Sequence, residues 1–221
     1  MGRDPSGAPP VSRNKTDRSV DGYARRMTET LSSEPAPATA RQRILDNAYE
    51  LFSRRGIRAV GIEEVISRSA VAKATLYRHF PSKDDLVLAF LEHREQLWTR
   101  QLVEAGARER GATAEERLLA IFDVFHDWFQ RDDYEGCSFI KVLLETADRD
   151  HPVGAASARY LENIRTIVRG LAEEAELRDP EAFALSFHIL MKGAIVQAAE
   201  GDREAARRAK AMAQLLLDQH R

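Results

Sequence analysis

Residues 74–86 read ATLYRHFPSKDDL. Tyr77, Arg78 and His79 stand just before Phe80-Pro81, and Ser82, Lys83, Asp84 and Asp85 stand just after. A proline lacks the backbone N–H and clashes with the preceding turn, so Pro81 ends one helix. Ser82, followed by two acids in the next turn, caps the start of another. A soluble chain that gathers aromatic and cationic groups around such a break presents them to an anion.

Working upstream, Lys73–His79 is a short helix behind a turn at Ala70–Ala72. Before that turn, Ile62–Ser69 reads as another short helix, with Ile62, Val65 and Ile66 inward and Glu63 and Glu64 placed to suit the helix dipole. A longer helix precedes it from a Thr39 cap, with Ile44, Leu45, Ala48, Leu51 and Phe52 on one face; Arg54 and Arg55 lead to its stop at Gly56. Two short helices across a tight turn make a helix-turn-helix, whose second helix enters the DNA major groove. Lys73, Ala74, Thr75, Tyr77 and Arg78 give that helix a slim, donor-bearing face, while Leu76 and Phe80 point to the core. Tyr77 and His79 end in groups that can donate to phosphate oxygens. Lys83 adds charge at the next helix N-terminus, where free N–H groups bind anions. Ile62, inward along its helix but at the very start of it, is also counted among the DNA-binding candidates.

Downstream the periodicity stays helical. A helix runs from Lys83 to Arg100 or beyond, carrying Leu86, Phe90, Leu97 and Trp98. Thr113 with Glu116 forms a capping box for the next, which holds Leu118, Ile121, Phe122, Phe125, Trp128 and Phe129. Further helices are expected over Ser138–Ala147, from Pro152 to about Ala175, from Pro180 to Ala199 behind an Asp179 cap, and over Arg203–Gln219. No segment alternates long enough to be a strand, so the fold class is all-α with about nine helices. Residues 39–85 are expected to be the DNA-binding head and residues 86–221 a helical ligand-binding and dimerisation domain. Residues 1–38 hold most of the eight prolines and little apolar periodicity, and are expected to be a disordered arm. Arg25 and Arg26 could add phosphate contacts, and Met27 could be the true start.

Charge is uneven. Residues 39–91 carry nine Lys/Arg against six Asp/Glu, and residues 92–221 carry eighteen against twenty-four. The front segment is thus about +3 and the remainder about −6, which separates a part that meets an anion from a part that does not. One cysteine, Cys137, leaves no internal disulfide and fits a reducing compartment. The expectation is a cytoplasmic protein without a secretory leader or an apolar run of ~20 residues. The six histidines are scattered, so no metal site and no cofactor are expected.

The stretch GIRAVGIEEVISRSAVAKATLYRHFPSKDDLVLAFL, residues 56–91, resembles the DNA-binding segment of TetR-family transcriptional regulators. The resemblance extends over about residues 39–221 and is densest in TLYRHFPSKDDL. It implies an all-α homodimer with helix-turn-helix heads and a helical ligand-binding body. It also implies DNA contacts from Lys73, Ala74, Thr75, Tyr77, His79 and Lys83. Three positions depart from the family pattern: Gly61 and Ala72 stand where hydroxyl-bearing helix caps are usual, and Ala70 where a turn glycine is usual.

In the body, Trp98, Phe122, His126, Phe129, Phe139 and Tyr160, with Cys137 near the rim, are candidates for an apolar inducer pocket; the same rings also read as plain core. The last two helices are rich in small residues, from Ala182 to Ala213, and two copies of such a pair suit a four-helix, two-fold interface. The resulting reading is a ligand-responsive repressor that binds a palindromic operator as a homodimer and is released by a small, partly apolar inducer; activation stays open. Two other classes remain. An enzyme would need Cys137 to pair with His126 or His151, and no local motif supports it. A ligand-binding protein without DNA activity would find its argument in Ala70 and Ala72.

Overall fold

Helix α1 (Ala40–Arg55) buries Ile44, Leu45, Ala48, Leu51 and Phe52, and ends where Gly56 turns with φ +82. Helices α2 (Ile62–Ser69) and α3 (Lys73–His79) follow. The rod α4 then spans residues 83–110: α-helical over Lys83–Arg94, π-helical over Glu95–Glu104, and α-helical again over Ala105–Arg110. After it come α5 (Ala114–Phe129), α6 (Ser138–Thr146), α7 (Pro152–Glu174), α8 (Pro180–Ala199) and α9 (Ala205–His220). The computed structural model describes residues 38–221, and among them there are nine helices and no strand. The arm expected over residues 1–38 lies outside the described residues apart from Ala38.

Local chemistry explains most of these boundaries. Ser82 Oγ accepts from the Asp85 N–H at 3.1 Å and donates to the Asp85 carboxylate at 2.7 Å, which starts α4. The Thr113–Glu116 capping box is present in both directions, at 3.2 and 3.1 Å. Asp179 Oδ1 accepts from the Ala182 N–H at 3.1 Å, ahead of Pro180 at the first turn of α8. The long α4 is the main departure. Its middle turns are widened, so that the Ala105 N–H reaches back five residues to the Arg100 carbonyl. Such segments are uncommon and concentrate at functional sites.

α2, α3 and the first part of α4 pack on α1 around Leu76, Phe80, Leu86 and Phe90. α4 is not the only link from these helices to the rest. Lys141 Nζ of α6 donates to the Ser53 carbonyl at 2.9 Å, and the Arg58 N–H donates to Glu145 at 2.9 Å. Glycine at position 56 permits this approach, because a Cβ there would collide with the Glu145 carboxylate. Arg94 is buried and donates both to the Tyr49 hydroxyl of α1 at 2.7 Å and to Glu135 at 3.1 Å.

α8 corrects one expectation. It is long and apolar enough, by length and composition, to cross a bilayer. Its Phe183, Phe187, Met191, Ala194 and Ala198 are buried in contact with α7 and α9, whereas Leu185, Ile189 and Val196 are exposed on its other side. Met212 and Leu215 of α9 are exposed too.

Candidate nucleic-acid interface

The turn between α2 and α3 is made without glycine. Ala70 takes the left-handed conformation, φ 50 and ψ 49, and its N–H and that of Val71 satisfy the Ser67 and Ile66 carbonyls at the end of α2. A Cβ in this region is disfavoured by ~1–2 kcal/mol, so the turn is held by the packing of the helices it joins. Ala72 is extended and starts α3 with its carbonyl only; no side chain caps the helix. Gly61 starts α2 in the same way, with open space where a Cβ would stand.

Leu76 and Phe80 fasten α3 to the core, and the Arg41 guanidinium lies 5.2 Å above the Phe80 ring. That anchoring turns Lys73, Ala74, Tyr77 and Arg78 to solvent, with Thr75 and His79 half-buried beside them. Phe80 is extended, as the residue before a proline must be, and this ends α3 at His79. Lys83, at the first position of α4, is half-buried. Ile62 opens α2 but packs partly against the core. All eight expected positions therefore lie on α3 or at the starts of the helices that flank it.

What holds Lys73 is visible only in the fold. Its ammonium donates to Glu63 of α2 at 2.6 Å, with both side chains mostly exposed. The hydrogen bond and the charge of Glu63 keep Lys73 above its ordinary ionisation range. An incoming phosphate must therefore compete with Glu63 for this cation.

The seven candidates in the body are placed as follows. Trp98, Phe122, Phe129, Cys137, Phe139 and Tyr160 are buried, and His126 is half-buried with Gln130 3.4 Å away. Trp98, Phe122 and Phe129 all meet Phe125, at ring separations of 5.7–6.1 Å. Phe139 stacks on Tyr160 as a separate pair, at 5.3 Å. Burial raises the Cys137 thiol above its ordinary range, which favours its protonated form. An open cleft of about 190 Å³ lies elsewhere, between the end of α4, α5 and α7, with Val103, Ala107, Ile121 and Leu171 among its apolar lining and the Arg117–Glu174 pair at its edge.

Residues 44–90 match the family model described as bacterial regulatory proteins, tetR family, and residues 114–213 match the tetracyclin repressor-like C-terminal domain. The chain belongs to the TetR family of transcriptional regulators. Among its curated relatives are the HTH-type transcriptional regulator LuxR of Vibrio harveyi and the HTH-type transcriptional regulator YjdC of Escherichia coli. LuxR is 27% identical over 201 residues, covering 84% of this chain and 90% of LuxR. YjdC is 25% identical over 158 residues, covering 70% of this chain and 81% of YjdC. The crystal structure of SCO4454, a TetR-family regulator from Streptomyces coelicolor, superposes with a TM-score of 0.75 at 29% identity, over 82% of this chain and 95% of that one. As a TetR-family member the protein is a DNA-binding transcriptional regulator and not an enzyme.

Proposed function

We propose that this regulator is a repressor that binds a palindromic operator as a homodimer and leaves it when a small molecule enters the body. Residues 39–85 act as the head and residues 86–221 as the ligand-binding and dimerisation domain, in the cytoplasm with the DNA they serve. Lys73, Ala74, Thr75, Tyr77, Arg78 and His79 face the major groove and its phosphates, with Ile62 and Lys83 at the flanking helix starts.

The observation that carries this reading is the apolar stripe on α8 and α9. Leu185, Ile189 and Val196 are exposed at near-helical spacing, Gly193 leaves open space among them, and Met212 and Leu215 stand exposed on the neighbouring helix. Covering that stripe with its own copy gives a two-fold contact. It also pairs two α3 helices, which reading a palindrome requires. The inducer is expected among Trp98, Phe122, His126, Phe129, Cys137, Phe139 and Tyr160. A ligand that prefers one arrangement of these helices shifts the heads through α4 and through the Lys141 and Glu145 contacts of α6, by no more than its difference in affinity for the two arrangements.

Gel shift with the promoter DNA flanking the protein's own gene tests the proposal. Binding should weaken steeply with salt and be lost when Tyr77 and Lys83 are both changed to alanine. Failure to bind any genomic fragment, or a strictly monomeric protein at all concentrations, would refute it.

A further inference from the structure

The π-helical part of α4 carries three buried polar atoms that have no hydrogen-bond partner among the described residues: Glu95 Oε2, Trp98 Nε1 and Thr99 Oγ1. Each side chain is more than nine-tenths buried. They fall within five consecutive residues; Glu95 and Thr99, four apart, share a face in a helix bonded i to i+5, and Trp98 stands on the adjoining side. Buried polar groups in folded proteins are nearly always satisfied, so three orphans in one turn call for a partner the described residues do not supply.

The surroundings say what that partner is. Glu95 is held from one side only. Its Oε1 accepts from Asn163 Nδ2 of α7 at 3.1 Å and lies 3.6 Å from Arg100 Nε, while Arg100 also donates to Glu104 at 3.0 Å. Asn163 thus orients the carboxylate at the α4–α7 seam and leaves Oε2 open to a donor. Trp98 adds an aromatic wall, its ring 5.2 Å from Trp128 and 5.8 Å from Phe125. A carboxylate beside two indoles that meet edge-on suits a cation, which gains from both the charge and the aromatic wall. The same seam opens to solvent one turn on: Val103 lies four residues after Thr99, Thr166 and Ile167 lie three and four after Asn163, and all three line the cleft of about 190 Å³.

We propose that Glu95, Trp98 and Thr99 form the polar anchor of a site for a small molecule bearing a protonated amine, reached along the α4–α7 cleft. The proposal rests on the reading of this protein as a ligand-responsive regulator, and it names the ligand class. The amine donates to Glu95 Oε2 and lies against the Trp98 ring, and a second, oxygen-bearing group on the ligand accepts from Trp98 Nε1 and meets Thr99 Oγ1. Because the anchor sits on α4, filling it acts on the helix that enters the head.

The chain has only two tryptophans, and both belong to this cluster, so their emission reports on the site. The full-length protein is titrated with benzylamine, 2-phenylethylamine and 4-phenylbutylamine, each against its hydroxyl isostere, by tryptophan fluorescence and calorimetry. At least one amine should give a saturable emission change and bind about tenfold more tightly than its alcohol, the size expected of one charge-assisted bond. Glu95→Gln, which preserves shape and the Asn163 bond, should remove that preference without changing the affinity for the alcohol. If Glu95→Gln does not fold, the amine-to-alcohol ratio in the unaltered protein decides. No saturable change with any amine, equal binding of amine and alcohol, or a preference that survives Glu95→Gln would overturn the proposal; solvent filling the gap predicts equal binding. Operator gel shifts run on the same samples separate the two readings. Intact DNA binding with no amine selectivity sinks only this inference, whereas loss of DNA binding in the unaltered protein sinks the regulator model beneath it.

Discussion

Replacing Ile189 with alanine should break the dimer while leaving each protomer folded. Ile189 is 70% exposed in the single chain, so its removal takes nothing from the core. The substitution deletes about three methylene equivalents, roughly 2.4 kcal/mol if fully buried. Only the 70% still exposed can be covered by a second copy, which leaves about 1.7 kcal/mol. A two-fold interface uses the side chain twice, so the dimer loses ~3.4 kcal/mol, or about 300-fold in dissociation constant. Sedimentation equilibrium across a wide concentration range measures this directly. Leu144→Ala is the matched control: Leu144 is 72% exposed but sits on α6, which packs chiefly on α7 and α4, so the dimer constant should not move. Operator affinity should fall with Ile189→Ala and not with Leu144→Ala. An Ile189→Ala dimer within threefold of the parent, or an equal effect from both substitutions, refutes the interface.

Three further outcomes follow from the geometry. Ala72→Ser supplies the missing cap of α3 and should add about 1 kcal/mol, seen as a rise of roughly 2–4 °C in melting temperature at fixed protein concentration; Ala70→Gly should also raise it, by relieving the left-handed Cβ. Glu63→Gln frees Lys73 for phosphate, so operator binding should tighten at low salt and the log–log salt slope should steepen by about one. Burial, then the nearby charges of Lys192 and Arg165, lowers His188 from its ordinary 6.5 to about 3. The unfolded chain therefore takes up a proton that the folded chain refuses, and stability should fall as pH drops from 6.5 towards 3. Urea melts of His188→Gln should show a flatter slope over that window, with a difference of about 2 kcal/mol near pH 5.

Much of the helix pattern and the exposed face of α3 was legible because it is local. Pro81 with Ser82, Thr113 with Glu116, and Asp179 with Pro180 set helix ends through bonds spanning three or four residues, and the apolar spacing around Leu76 and Phe80 fixes which side of α3 is left outside. Two features were not legible. Glu63 and Lys73 are ten residues apart and meet only because the left-handed turn at Ala70 brings α2 against the start of α3. In the body, the open cleft was not legible, because Val103, Ile121 and Leu171 come from α4, α5 and α7 and share a wall only after those helices pack.

Residue order by itself determined the helices, their caps and the anchored, solvent-facing α3, since each depends on neighbours within a turn or two. Tertiary structure alone decided which side of α8 is buried, because that helix is apolar on both sides and carries no polar stripe to orient it. It also decided that Arg94 and Glu95 lie inside. Nothing local marks a charged residue for burial; Tyr49, Glu135 and Asn163 reach them only after α1, α4 and α7 have packed together.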